Sequence, residues 1–101
     1  MIIETDRLIL RPFTENDAAD AYEAAHAFFD YLFGEKGARR IYAYTEDYNV
    51  ASQKLCEKLG MRREGFYLEF VSFVNDESGN PIYENTYEYA ILKKEWEQNK
   101  K

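Results

Sequence analysis

A chain of 101 residues and 12.0 kDa reads as one domain, burying about 65 % of its extended surface on folding. Its 13 basic and 19 acidic residues leave a formal charge of −6. That argues against nucleic-acid or anionic-membrane surfaces, which need a basic excess. One cysteine and one histidine exclude an internal disulfide and provide no zinc-type ligand set. Charged residues at Glu4, Asp6 and Arg7 argue against a signal peptide. No apolar run is long enough to span a bilayer, so a cytoplasmic chain is expected. Aromatic residues, at 17 %, are dense enough to supply a core and also an intermolecular contact.

In chain order, residues 7–11 alternate, with Leu8 and Leu10 opposite Arg7, Ile9 and Arg11. Pro12, which has no N–H, stops this strand. Thr14 followed by Asp17 marks a helix start, with Glu15 and Asp17 suited to the positive end of the helix dipole. Ala18, Ala21, Tyr22, Ala25, Phe28, Phe29, Leu32 and Phe33 then hold one apolar stripe up to Gly34, uninterrupted by Pro or Gly. A turn over 37–40 leads into a strand at 41–45.

Asn49 caps a second helix, in which Ala51, Leu55 and Leu59 share a face and Gly60 supplies the left-handed stop. A strand over 65–74 has apolar residues on both sides: Phe66, Leu68, Phe70 and Val74 on one, Tyr67, Val71 and Phe73 on the other. Residues 75–81, dense in turn formers, make a hairpin loop. The last strand covers 83–92, and the charged tail 93–101 is expected to fray. Local basic clusters, Lys36 with Arg39 and Arg40 and Lys54 with Lys58, Arg62 and Arg63, leave an anion site open beside the plainer reading of solvated charge.

The stretch Asn49 to Gly65, Asn-x-x-Ser-x-x-Leu-x-Glu-Lys-Leu-Gly-Met-x-x-Glu-Gly, resembles the C-terminal cofactor-side helix and following strand of the GNAT N-acetyltransferases. It is most similar to the ribosomal-protein-alanine acetyltransferase (RimJ/RimL-like) branch. The opening run Glu4-Thr5-Asp6-Arg7-Leu8-Ile9-Leu10-Arg11-Pro12-Phe13-Thr14-Glu15-Asn16-Asp17-Ala18 resembles that branch's N-terminal strand and first helix. Phe28 to Gly34 looks like the end of its central helix. Two helices would then be joined around 24–27 without breaking the apolar phase. Between these blocks the family carries a long central portion that this chain almost wholly lacks.

The order β-α-β-α-β-β, taken with this resemblance, implies an α/β fold: a shortened GNAT-like sandwich over 1–101, with a mixed four-stranded sheet and two helices. The first strand should lie parallel beside 41–45 through a right-handed connection. The last strand should insert between 41–45 and 65–74. A domain-swapped or tightly packed homodimer is the alternative way to satisfy the bared sheet edge.

The resemblance further implies acetyl-CoA as cofactor and a primary amine, on a small molecule or a peptide, as acceptor. Asn49 would bond the pantetheine arm and Ser52 would protonate the departing thiolate. Each also has a plainer reading, Asn49 as a helix cap and Ser52 as a first-turn hydroxyl bonding locally. Cys56 falls where many relatives place a tyrosine acid, and a buried structural thiol is the plainer reading. Glu69 and Glu88 are the candidate general bases, against solvated carboxylates. The family's pyrophosphate rests on a glycine-rich loop whose backbone N–H groups face the anion. Here the corresponding loop, Arg11 to Asp17, has a proline, two carboxylates and no glycine. The expectation is therefore a catalytically impaired acetyltransferase homologue. A non-catalytic dimeric or partner-binding module is the alternative, and a domain binding CoA only through its pantetheine arm a third.

Overall fold

The computed structural model describes residues 3–4, 7–9 and 18–99. The expected helix start at Thr14–Asp17 and the loop 11–17 lie outside the described residues. The elements are β1 (Ile3–Glu4), β2 (Arg7–Ile9), α1 (Ala18–Gly34), β3 (Arg40–Glu46), α2 (Val50–Lys58), β4 (Arg62–Asn75), β5 (Pro81–Leu92) and α3 (Lys93–Asn99). They form an α/β fold with one mixed sheet in the order β1-β2-β3-β5-β4. β2 runs parallel to β3, pairing Arg7 with Tyr42 and Ile9 with Tyr44. β5 is antiparallel to both β3 and β4. The last strand is thus inserted between the two before it, as the sequence implies. The short β1, antiparallel to β2, and the helix α3 are additions to that expectation.

Alternation along β3 and β5 divides the sheet into two unlike faces. Ile41, Ala43, Tyr89 and Ile91 point to one face and are at most 1 % exposed. Against them pack Phe29, Leu32 and Phe33 of α1, Leu55 and Cys56 of α2, and Trp96 of α3. All three described helices therefore cover the same face. α1 is one continuous helix, its stripe carried unbroken into the buried Phe29–Leu32–Phe33 group.

The expected frayed tail is corrected here. Residues 93–99 form α3 because Trp96, only 4 % exposed, stacks near Phe29 and Phe33 at 5.4 and 6.0 Å between ring centroids. Its indole Nε1 donates to Asp30 Oδ1 at 2.7 Å. The Glu95 side chain closes the start of α3 by accepting from the Leu92 N–H at 2.9 Å, as an acidic third residue does in a capping box. A single large indole outweighs the charged residues around it.

α2 ends as expected: Gly60 takes φ +88°, and Met61 N donates to Cys56 O at 3.0 Å. The 75–81 turn is closed by Asp76, whose Oδ1 accepts from Ser78 N and Asn80 N, each at 2.9 Å.

β4 departs from plain alternation. Its register against β5 shifts three times, most strongly between Tyr67 and Val71, where Glu69 takes φ +47°. This bulge turns Phe70 to the side of Tyr67, with ring centroids 5.0 Å apart, instead of the opposite side that strict alternation assigns it.

The basic residues around β3 and β4 are largely occupied within the chain. Arg40 donates twice to Glu64, at 3.2 and 2.6 Å, and Arg62 pairs with both Glu64 and Glu95. Arg63 lies 3.9 Å over the Tyr87 ring. These pairings weigh against the anion site left open at Arg40, Arg62 and Arg63.

Replacing Trp96 by Ala removes an indole from the middle of the core. It should lower the unfolding free energy by about 3–5 kcal/mol, read from urea denaturation. The Arg40 guanidinium also holds the Glu64 carboxyl below its ordinary value of 4.5. Its contribution is therefore present above that value and is lost as pH falls through the lower folded value. Glu64→Gln should cost on the order of 0.5 kcal/mol at pH 7, and the difference from wild type should vanish as pH falls through the lowered folded value of Glu64 when midpoints are compared.

Candidate functional site

The C-terminal end of β3 is the one place where the sequence-derived site residues meet. The chain leaves the strand at Glu46 and enters α2 through a turn at 47–49. Asn49 is buried, and its N–H donates to Glu46 O at 3.0 Å. Its side-chain Oδ1 accepts from Ser52 N at 3.2 Å, making the expected N-cap. Gln53 locks the turn from the other side, its Nε2 donating to Glu46 O at 3.1 Å and Asp47 O at 3.0 Å.

The cap uses only half of the Asn49 amide. Its Nδ2 is buried without a partner, and so are Glu46 Oε2 and Thr86 Oγ1. Glu46 and Thr86 stand directly opposite one another in the β3–β5 register. A buried donor or acceptor left unpaired costs about 1–3 kcal/mol. Three of them at one strand end mark a polar spot where a ligand's groups would be well received.

Ser52 is fully buried on the first turn of α2, and Cys56 lies one turn further on, also at 0 % exposure. Burial pushes the Cys56 thiol up to about 12, so it is a packed side chain and not a reactive one. Asp47 accepts from Asn85 Nδ2 at 3.2 Å. The Tyr48 hydroxyl is raised above its ordinary value, first by partial burial and then by the nearby carboxylates Glu84, Glu46 and Asp47. The strand end is acidic.

The two candidate bases are placed differently. Glu88 accepts from the Tyr67 hydroxyl at 2.6 Å and sits 3.8 Å from Arg40. Glu69 is exposed in the β4 bulge, where its N–H donates to Asn85 Oδ1 at 2.9 Å. Neither is brought to the Asn49–Ser52 turn as a free carboxylate. Sequence reasoning passed over Glu46 and Thr86. Nothing local marks them, since a charged residue at the end of an alternating strand normally faces water.

Residues 21–62 match the family model of the acetyltransferase (GNAT) domain. The N-acetyltransferase YnaD of Bacillus subtilis, itself uncharacterised, is 40 % identical over 76 residues, covering 75 % of this chain and 41 % of YnaD. A GNAT-family acetyltransferase from Bacillus anthracis superposes with a TM-score of 0.69 at 31 % identity, over 94 % of this chain and 55 % of that one. The chain is a GNAT-family N-acetyltransferase homologue. The spermidine/spermine N-acetyltransferase SpeG of Vibrio cholerae superposes with a TM-score of 0.70 at 23 % identity, over 81 % of this chain and 44 % of that one. At that identity it shows the same fold alone. This GNAT homologue spans about half the length of the relatives it matches.

Among the described residues no helix is long and apolar enough to cross a membrane, and no group of acidic, His and Cys side chains could hold a metal ion.

In this homologue a disulfide-exchange reagent at pH 8 should modify Cys56 only as fast as the chain unfolds. Adding urea to the transition midpoint should accelerate the reaction by several orders of magnitude, followed by absorbance of the released thiolate.

Proposed function

We propose that this GNAT homologue binds acetyl-CoA through the pantetheine arm and transfers acetyl to a primary amine on a small molecule or peptide, with weakened activity. It is assigned to the RimJ/RimL-like branch. The observation that carries the proposal is the buried, unpartnered Asn49 Nδ2. Helix capping needs only an acceptor oxygen, which Ser or Asp provides equally well. An amide N–H left over at this position suits a carbonyl acceptor such as the arm's amides present. Acetyl-CoA, when bound, supplies an activated acyl thioester.

The chain's own groups then have defined tasks. Asn49 orients the arm, and the Ser52 hydroxyl, on the first turn after the cap, donates a proton to the departing sulfur. Glu46 Oε2, buried without a partner beside Thr86 Oγ1, receives the proton that the amine must lose. Of the three carboxylates it is the one at the Asn49 turn, whereas Glu69 lies exposed in the β4 bulge and Glu88 is engaged by Tyr67 and Arg40. The weakness follows from the sequence, which contains no glycine-rich phosphate loop. A second reading, a non-catalytic dimeric module, is favoured by the exposed Leu68, Val74, Ile82 and Tyr83 of the β4–β5 hairpin.

Thermal unfolding with and without about 1 mM acetyl-CoA tests the proposal by linkage. The midpoint should rise by about 2–5 °C in wild type. Asn49→Ser keeps the cap and should lose that rise while its ligand-free midpoint stays within about 1–2 °C of wild type. Asn49→Ala should lose both, through about 1 kcal/mol of missing cap. No ligand-dependent rise in wild type would remove the enzyme reading.

A further inference from the structure

On the helix side of the molecule, at the opposite end of α2 from Asn49, the three helices border a second concavity. It is a cleft of about 410 Å³ to which Tyr22, His26, Lys58, Gly60, Trp96 and Asn99 contribute. That volume lies within the range of small-molecule sites. Nothing in the packing of the core requires an opening here lined by three aromatic rings.

The rings form a connected wall. Tyr22 and His26, four residues apart on α1, share one helix face, with ring centroids 5.7 Å apart. His26 continues onto Trp96 of α3 at 4.7 Å. Asp30 holds the two inner rings: its Oδ1 accepts from Trp96 Nε1 at 2.7 Å, and its Oδ2 lies 3.5 Å from His26 Nδ1. A ring entering the cleft therefore meets aromatic side chains already fixed, which removes part of the ordering cost of binding.

The charge of the cleft runs against that of the chain. The protein carries a formal −6, yet the described lining of the cleft has a lysine and no carboxylate. Lys58 is exposed and forms no ion pair among the described residues. Its ammonium lies 4.4 Å from the Tyr22 ring centroid, a contact that positions the charge without neutralising it. Gly60 makes room for a second polar group. A Cβ at this position would stand 2.7 Å from Asn99 Nδ2, so the bare glycine lets the Asn99 amide approach.

We infer that this cleft binds a small aromatic carboxylate. The ligand's ring packs among Tyr22, His26 and Trp96, and its carboxylate accepts from the Lys58 ammonium and the Asn99 amide. One monocation and one amide donor match a carboxylate, whereas a phosphate dianion calls for more charge and more donors. An adjoining groove along α1 is acidic, with Asp20, Glu23 and Asp30, and this turns the carboxylate toward Lys58. The inference does not rest on the cofactor reading, since it involves none of Asn49, Ser52 and Glu46.

Trp96 is the single tryptophan of the chain, so its fluorescence reports on the cleft directly. Benzoate is the probe, titrated at constant ionic strength near pH 7, where a carboxylic acid is ionised. Emission should change saturably, with half-saturation at about 1–10 mM, the range open to a ligand of so few atoms. Acetate has the charge without the ring and benzamide the ring without the charge. Each should bind at least about threefold more weakly. Lys58→Gln should raise the benzoate half-saturation at least about threefold while leaving the ligand-free thermal midpoint as in wild type. Lys36→Gln is the control, because that ammonium lies over the Tyr31 ring outside the cleft, and its titration should match wild type. An emission that does not saturate with benzoate would overturn the inference. So would benzamide binding as well as benzoate, or a Lys58→Gln titration that superposes on wild type.

Discussion

The structure depends on one-sided burial of a mixed sheet. Ile41 and Ala43 from β3, with Tyr89 and Ile91 from β5, form a strip that cannot face water, and α1, α2 and α3 all lie on it. Each helix is held there by a short set of side chains, Phe29 and Phe33 from α1, Leu55 and Cys56 from α2, and Trp96 from α3. Because β5 lies between β3 and β4, the strip is continuous across two antiparallel neighbours. Moving its register by one residue would turn the strip outward and release all three helices together.

The polar strand end follows from this arrangement. β3 stops where α2 must begin in order to return over the strip, and the reversal is made by Asp47, Tyr48 and Asn49. The Asn49 cap and the Gln53 bridge to the Glu46 and Asp47 carbonyls satisfy the backbone there. They do not satisfy the side chains. Glu46 is on the last residue of the strand, opposite Thr86, and the surrounding chain buries both without offering partners. A turn whose strand-end carbonyls are bonded while buried side-chain atoms beside it are not has the character of a recognition site.

The same one-sidedness explains the other face. With every described helix on one side, Tyr42, Tyr44, Phe70 and Tyr67 form a row on the other, flanked by Arg40 over the Tyr42 ring and by Glu88, which accepts from the Tyr67 hydroxyl. The β4 bulge matters to both ends of this story. It gathers Phe70 into the row and lets the Glu69 N–H reach Asn85, which in turn holds Asp47 near the strand end. In this GNAT homologue β2 lies beside β3, and no described helix covers the second face.

Much of this was legible in the residues themselves. The single long helix, the Asn49 cap, the Gly60 stop and the hairpin at 75–81 follow from local rules, because capping, positive φ and apolar phase act over a few residues, while the insertion of the last strand was implied by the family resemblance. The family likeness was likewise carried by contiguous motifs. Tertiary packing decided what local rules do not reach. Trp96 overrode a charged tail, since one indole in the core outweighs several solvated side chains. The bulge at Glu69 undid the alternation of β4. Glu46 and Thr86 became buried neighbours across forty residues of chain only because β5 inserts where it does, and burial is a property of the assembled layers and not of any stretch of sequence.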